Sequence, residues 1–105
     1  MQLRVLTYNI RHGEGLDGRV ALGRVAAVLA VCDPDLVALQ EVDAFLPRSG
    51  FRHQARFLAR LLGMRYVFGP TFRLARLAFF GNAVLSRLPV TGVRRYRLPG
   101  RGEPR

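Results

Sequence analysis

Residues 36–43 read LVALQEVD, an apolar run that leads to a single carboxylate, Glu41. Apolar side chains fall on both faces of this run, a pattern typical of a strand buried inside a sandwich. The chain therefore uses strong strand-forming positions to hold one acid near the end of a strand. This pattern indicates a chemical task for Glu41.

Hydrophobic spacing predicts two helices, at residues 19–32 and at roughly 51–62, among five strands. Strand–helix–strand order predicts at least partly parallel pairing, with an antiparallel pair of strands at the end. The predicted fold class is therefore α/β, with the order β-α-β-α-β-β-β. The predicted strands are residues 3–10, 36–42, 64–69, 79–86 and 92–98.

Each predicted helix has a buried stripe and a stop signal. The Asp33-Pro34 pair should end the first helix because proline cannot continue it, and Gly63 should end the second. Ser49 or a neighbour is expected to cap the second helix, and Cys32 to be a buried, inert thiol. The expected buried residues of the two helices are Val20, Val25, Val28, Leu29, Cys32, Phe51, Ala55, Leu58, Leu61 and Leu62.

The formal net charge is +10, and all 17 basic residues are arginine. Arginine suits phosphate oxygens, and a basic surface attracts polyanions. An arginine bias over the whole chain also fits coding composition, so charge alone identifies no ligand. The sequence has neither a signal peptide nor the apolar run of about 20 residues that a membrane span needs. We therefore expect a cytoplasmic protein without a transmembrane segment.

The predicted sheet needs more cover than the predicted helices supply. Strands that are apolar on both faces require a second layer, and two helices cover one face only. The 105 residues end on PGRGEPR, a turn that leads to no further element. We therefore expect the chain to be the first part of a domain.

Asn9 and Glu41 lie near the carboxyl ends of the first two predicted strands. If these strands are parallel, both side chains emerge at the sheet edge where open α/β sheets bind ligands. Mg²⁺ prefers oxygen ligands, with one or two carboxylates among them, so Glu41 fits as a ligand and Asn9 as its orienting neighbour. On spacing alone, a loop-initiating role for Asn9 and an ion pair between Glu41 and an arginine are also open.

Three segments, LRVLTYNIRHG, LVALQEVD and FGNAVLSRLPV, occur in this order and together resemble the endonuclease/exonuclease/phosphatase family, metal-dependent hydrolases with a DNase I-like fold. The resemblance implies the N-terminal part of a DNase I-like two-sheet α/β sandwich. It implies that Glu41 binds the catalytic Mg²⁺ (or Mn²⁺) and that Asn9 lies beside the metal and the scissile phosphate. Gln40 would point to the other side of the strand as supporting structure. Asn82 would fix backbone near the site or contact substrate.

Further side chains could line the same cleft. His12 follows closely on Asn9, although a role in loop structure fits it better. Asp43 would start the loop after the second strand, and His53 has no partner in view. Candidates for anion contact at the rim are Arg11, Arg48 and Arg105.

In relatives this region is followed by Asn-Thr-His, Asp-x-Asn and Ser-Asp-His segments, none of which occurs here. Groups that act as a unit fail together, so we expect the 105-residue chain to be inactive and the full-length protein to hydrolyse phosphodiester or phosphomonoester bonds. Its substrate could be a nucleic acid, a lipid head group or a small phosphoester, and no stable protein partner is predicted. Two alternatives are open: a non-catalytic basic module that binds nucleic acid, and a packing fragment that pairs with a separate second half.

Overall fold

The computed structural model describes residues 2–73 and 76–92, which form one four-stranded sheet and two α-helices. Short 3₁₀ helices follow the first two strands, at Arg11–Gly13 and Pro47–Ser49. The strands are β1 (Val5–Asn9), β2 (Leu36–Ala44), β3 (Arg65–Arg73) and β4 (Phe79–Ser86), and the helices are α1 (Leu22–Cys32) and α2 (Gln54–Leu62).

The strands lie in the order β1-β2-β4-β3. β1 and β2 pair in parallel, as the first strand–helix–strand unit predicts. β4 pairs antiparallel with both β2 and β3, so β2 and β3 run in the same direction without being neighbours. The strand predicted at residues 92–98 lies outside the described residues, apart from its first position.

Both helices pack on one face of the sheet. The core combines Val25 and Leu29 of α1 and Leu58 of α2 with Leu39 and Leu85 of the sheet. The opposite face is open in the described part of the chain, where Val5 is 68% exposed and Val84 43%. The expectation that the helices cover one face only is therefore confirmed.

Local sequence signals predict the C-terminal ends of the two helices more accurately than their N-terminal starts. α1 and α2 end at the positions predicted, and the capping residues Asp33 and Gly63 adopt left-handed conformations there. Each helix begins about three residues later than predicted, within the usual uncertainty of boundaries. The N-cap of α2 is His53, whose side chain accepts a hydrogen bond from the Arg56 N–H at 3.2 Å. The expectation that Ser49 caps this helix is therefore wrong.

The buried stripes of the helices are narrower than predicted. Cys32 is exposed rather than buried, and Val28 is 46% exposed. In α1 the buried positions are Leu22, Val25 and Leu29. Residues that lie beside this stripe on the helix surface face outwards. Phe51 and Leu61, also expected inside, are 66% and 56% exposed. Phe51 precedes the helix, and its backbone is left-handed.

Neither helix in the described ranges combines the length and the apolarity that crossing a membrane requires.

Gly81 lies where β3 and β4 approach most closely. A Cβ atom at this position would lie 2.2 Å from the Gly69 carbonyl oxygen and 2.8 Å from the Pro70 Cα. Both contacts are with backbone at the irregularity of β3 near Pro70, so no side-chain rotation relieves them. The site therefore requires glycine for lack of space.

We predict that Gly81→Ala lowers the free energy of unfolding by at least about 1–3 kcal/mol, the usual cost of overpacking. Gly23→Ala is the matched control, because Gly23 lies in α1 with no atom within 4 Å of an added Cβ. It should raise stability by about 0.5–1 kcal/mol. Chemical denaturation of both variants checks this pair, and equal stability of the two would contradict it.

Candidate active site

A β-bulge in β2 sets the position of Glu41. Leu39 and Val42 are both fully buried in the core, although strict alternation would place them on opposite faces. The two residues between them stand opposite the single residue Asn82 of β4, which is the count of a bulge. Glu41 has a φ of 57°, so its backbone is left-handed. The bulge turns both intervening side chains away from the core.

Both bulge side chains reach polar groups of β1. The Gln40 Nε2 donates to the Thr7 Oγ1 at 3.0 Å, and the Asn9 Nδ2 donates to the Glu41 Oε2. Thr7 and Asn9 are two residues apart on a strand and so share one face. The prediction that the Asn9 and Glu41 side chains come together is confirmed, although Glu41 lies within the bulge and β2 continues to Ala44. Gln40, expected on the other side of the strand from Glu41, lies on the same side because the bulge interrupts the alternation.

The Asn9 amide is used at both ends. Its Nδ2 faces Glu41, and its Oδ1 accepts the Arg11 N–H at 3.1 Å. These two bonds fix which end of the amide faces the carboxylate. The bond from the Arg11 N–H is the loop-initiating contact expected as one alternative for Asn9, and the same amide also contacts the Glu41 carboxylate.

Asn82 lies on the other flank of Glu41. It is exposed on the open face of β4, between the buried residues Gly81 and Ala83, and its register neighbour on β3 is Gly69. Since β2 lies between β1 and β4, Asn9 and Asn82 stand one strand away from Glu41 on either side, about 5 Å per strand. The fold therefore brings the three residues into one row across the sheet.

The segment after β1 has an unusual backbone. Arg11 and His12 both have positive φ, 49° and 44°, a conformation that costs energy for residues other than glycine. The His12 side chain is 17% exposed and its Nε2 lies 4.0 Å from the Glu14 carboxylate. His12 therefore has a partner within its own loop. Arg11 is exposed at the rim.

Gln54 is a buried residue that holds the two site segments together. Its Oε1 accepts the Asp43 N–H at 3.0 Å, and its Nε2 donates to the His12 carbonyl oxygen at 2.8 Å. One side chain, 0% exposed, thus connects the segment after Asn9 with the strand after Glu41. No sequence signal predicts this role, because Gln54 looks like an ordinary first-turn helix residue.

The prediction that Asp43 starts a loop is wrong, because Asp43 is a fully buried residue of β2. Arg48 donates two hydrogen bonds to its carboxylate, at 2.9 and 2.7 Å, and the Ser49 Oγ donates a third at 2.9 Å. The hydrogen bond to Asp43 raises the pKa of Arg48. Arg48, expected to contact an anion at the rim, instead forms an ion pair with the buried Asp43 carboxylate. Without this partner the buried charge would destabilise the fold. Arg105 lies outside the described residues.

The donor set at the row is one carboxylate flanked by two amides. Within residues 2–73 and 76–92, no group of three or more His, Cys, Asp or Glu side chains is arranged to hold a metal ion. Mg²⁺ takes one or two carboxylates and completes its shell with water and substrate oxygens. The Glu41 carboxylate therefore fits as part of a magnesium site.

A family model described as the Endonuclease/Exonuclease/phosphatase family matches residues 6–105. The chain belongs to this family. The resemblance read from the three sequence segments is therefore confirmed, and with it the α/β fold class of the DNase I-like type.

Two solved structures are similar to this member of the family. An endonuclease/exonuclease/phosphatase from Beutenbergia cavernae is 30% identical with a TM-score of 0.69. An endonuclease/exonuclease/phosphatase family protein from Leptotrichia buccalis is 17% identical with a TM-score of 0.63, a likeness of fold. Each match covers 87% of this chain, but only 27% and 39% of the respective structures. No curated protein matches the sequence.

His53 lies apart from the row, among aromatic rings on the helix side of the sheet. Its ring lies 5.4 Å from that of Phe45, 5.3 Å from Tyr66 and 5.2 Å from Phe68. Burial lowers the pKa of His53 below 6.5, and the Arg56 charge acts in the same direction. His53, with no partner visible in the sequence, is thus a capping and packing residue.

We predict that protonation of His53 destabilises the protein. Because the folded-state pKa is depressed, the unfolded chain binds more protons below pH 6.5. Stability should be complete above that pH and fall as the pH drops through the window beneath it. Thermal melts between pH 7.5 and 5.5 measure this loss. His53→Asn keeps a capping acceptor and should flatten the profile. An unchanged profile in this variant would refute the assignment.

We also predict that Gln54→Leu destabilises the fold by at least about 2 kcal/mol, since it leaves the buried Asp43 N–H and the partly buried His12 carbonyl oxygen without their partner. Gln40→Leu is the control, because Gln40 is only partly buried and its bond to Thr7 is solvent-exposed. Its cost should stay within about 1 kcal/mol. Denaturant titration distinguishes the two, and a similar loss in both variants would rule out a special role for Gln54.

Proposed function

We propose that the protein is a divalent-metal-dependent hydrolase of phosphoester bonds, with Glu41 as a carboxylate ligand of Mg²⁺ or Mn²⁺. The observation that carries this proposal is the hydrogen bond from Asn9 to Glu41 at the point where β1 ends and its parallel pairing with β2 stops. Carboxyl ends of parallel strands are where α/β folds bind their ligands. Family membership supports the phosphoester class of substrate.

Asn9 would act on the Glu41 carboxylate. Its amide N–H holds one oxygen of the acid and leaves the other for a cation. Ligating carboxylates are commonly oriented in this way, and losing the orienting partner typically costs about 10–100-fold in metal affinity or activity. A direct bond between Asn9 and the metal is a further proposal. When bound, the metal would supply charge stabilisation at a phosphoryl oxygen and at the leaving oxygen.

Asn82 and Arg11 are proposed to contact the phosphoester. Both are exposed, and Asn82 stands beside the carboxylate in the open row. The amide can donate to a phosphate oxygen, and the guanidinium can bind one in a bidentate manner. His12 is proposed to line the cleft through its loop. The substrate class, whether nucleic acid, lipid head group or small phosphoester, is not chosen by the fold.

We predict that Glu41→Gln lowers phosphodiesterase activity at least about 100-fold and raises the Mg²⁺ concentration needed for half of the remaining rate. The protein from the complete gene is assayed on bis(p-nitrophenyl) phosphate with Mg²⁺, with Mn²⁺ and with chelator. Asn9→Leu should lose about 10–100-fold. Mn²⁺ binding followed by electron paramagnetic resonance gives a readout apart from turnover.

Glu14→Gln is the matched control. Glu14 is a second glutamate near the same loop, partly buried and 4.0 Å from His12. The same chemical change there should leave both activity and metal affinity close to those of the unmodified protein. Activity of Glu41→Gln at the unmodified level, or activity that persists in chelator, would end the proposal.

A further inference from the structure

Three arginines follow one another at four-residue steps along the outer side of α2 and its N-terminal approach. Arg52, Arg56 and Arg60 are all exposed. A helix rises about 6 Å over four residues, so their charges form a line. Across the described ranges, none of the three pairs with a carboxylate, whereas Arg24, Arg48 and Arg87 do. No carboxylate of the described residues therefore neutralises this line of positive charge.

Aromatic faces accompany this line. A depression of about 510 Å³, the α2 groove, is lined by the three arginines together with Phe45, His53 and Phe57, and no acidic side chain lines it. A second depression of about 480 Å³ shares the walls Phe45 and His53 and continues past Tyr66, Phe68 and Phe79. The two depressions are therefore neighbours that share two ring walls, and the arginines line the first of them.

Two side chains of the groove already form a contact between a planar cation and an aromatic ring. The Arg52 guanidinium lies 4.0 Å from the centre of the Phe57 ring, a cation–π contact. Phe45 is 42% exposed, although a buried position would be usual for its size. A ligand that complements this surface carries regularly spaced negative charges and flat apolar rings. Single-stranded nucleic acid has both features, and its bases stack on aromatic side chains whatever their sequence.

We propose that the α2 groove binds single-stranded nucleic acid, with bases against Phe45 and His53 and backbone phosphates on Arg56 and Arg60. The groove is separate from the row of Asn9, Glu41 and Asn82. α2 packs with Ala55 and Leu58 on the covered face of the sheet, and Asn82 is exposed on the opposite face. The proposal therefore concerns a second site and does not depend on the hydrolase activity.

An anionic membrane is the other polyanion that arginines and aromatic residues attract. Membrane-bound helices present their apolar side chains outwards, so that they enter the lipid. In the α2 groove the rings form the walls of a depression instead. Rings that line a depression can contact an inserted base, whereas they are poorly placed to enter a lipid layer. We therefore favour nucleic acid as the ligand.

The test is fluorescence anisotropy of a short fluorescein-labelled oligothymidine, titrated with the protein in chelator so that no metal-dependent hydrolysis occurs. The double variant Arg56→Gln/Arg60→Gln should weaken binding about tenfold or more and reduce the slope of log affinity against log salt by about 1.4, at about 0.7 per lost phosphate contact. Arg19→Gln/Arg65→Gln removes the same charge from exposed positions outside the groove. It should retain most of the affinity.

A second pair of variants tests stacking. Phe45→Leu should weaken binding about tenfold. Phe51→Leu is its control, because Phe51 is also an exposed phenylalanine with positive φ, 60° against 63°, but lies outside both depressions. Circular dichroism and thermal melts verify that all four variants are folded.

Equal losses in the groove and control variants would overturn the proposal in favour of diffuse attraction by net charge. Absence of oligothymidine binding would overturn it as well, as would binding to phosphatidylserine vesicles with none to the oligonucleotide. Loss of hydrolysis in Glu41→Gln with oligothymidine binding intact would support two separate sites. The two proposals can therefore fail independently.

Discussion

The arrangement of the site depends on one packing constraint, the simultaneous burial of Leu39 and Val42. Both side chains belong to the same core, yet only two residues separate them, so β2 must take up an extra residue between them. The resulting bulge gives Glu41 its left-handed backbone and turns its carboxylate towards Asn9. Burial of two apolar residues thus offsets the backbone strain at the acid, which is how proteins commonly support strained residues at functional positions.

Buried polar contacts then fix the loops on either side of the bulge. Gln54 connects the Asp43 N–H to the His12 carbonyl oxygen, and the Asp43 carboxylate binds Arg48 and Ser49. Each of these groups would be costly to leave without a partner in the interior. The same network that satisfies them therefore also sets the separation of the segments that follow Asn9 and Glu41.

The two faces of the sheet differ in chemistry. The open face carries Asn9, Glu41 and Asn82 among exposed apolar residues such as Val5 and Val84. On the covered side, α2 presents arginines beside aromatic rings, and no carboxylate of the described residues pairs with them. The overall charge of +10 gave no information on this division, because the arginines are spread along the chain. Some of them, such as Arg48 and Arg87, are bound to carboxylates within the fold.

The sequence by itself determined the strands, the stop of each helix and the family, since alternation, Asp33-Pro34, Gly63 and the three segments are local signals. It also predicted that Asn9 and Glu41 lie near the carboxyl ends of the first two strands. Only the tertiary structure decided the insertion of β4 between β2 and β3, the exposure of Cys32 and Phe51, and the common side of Gln40 and Glu41. These features follow from contacts between distant residues, above all the shared burial of Leu39 and Val42. The periodicity of a sequence does not specify such contacts, so it could not predict these features.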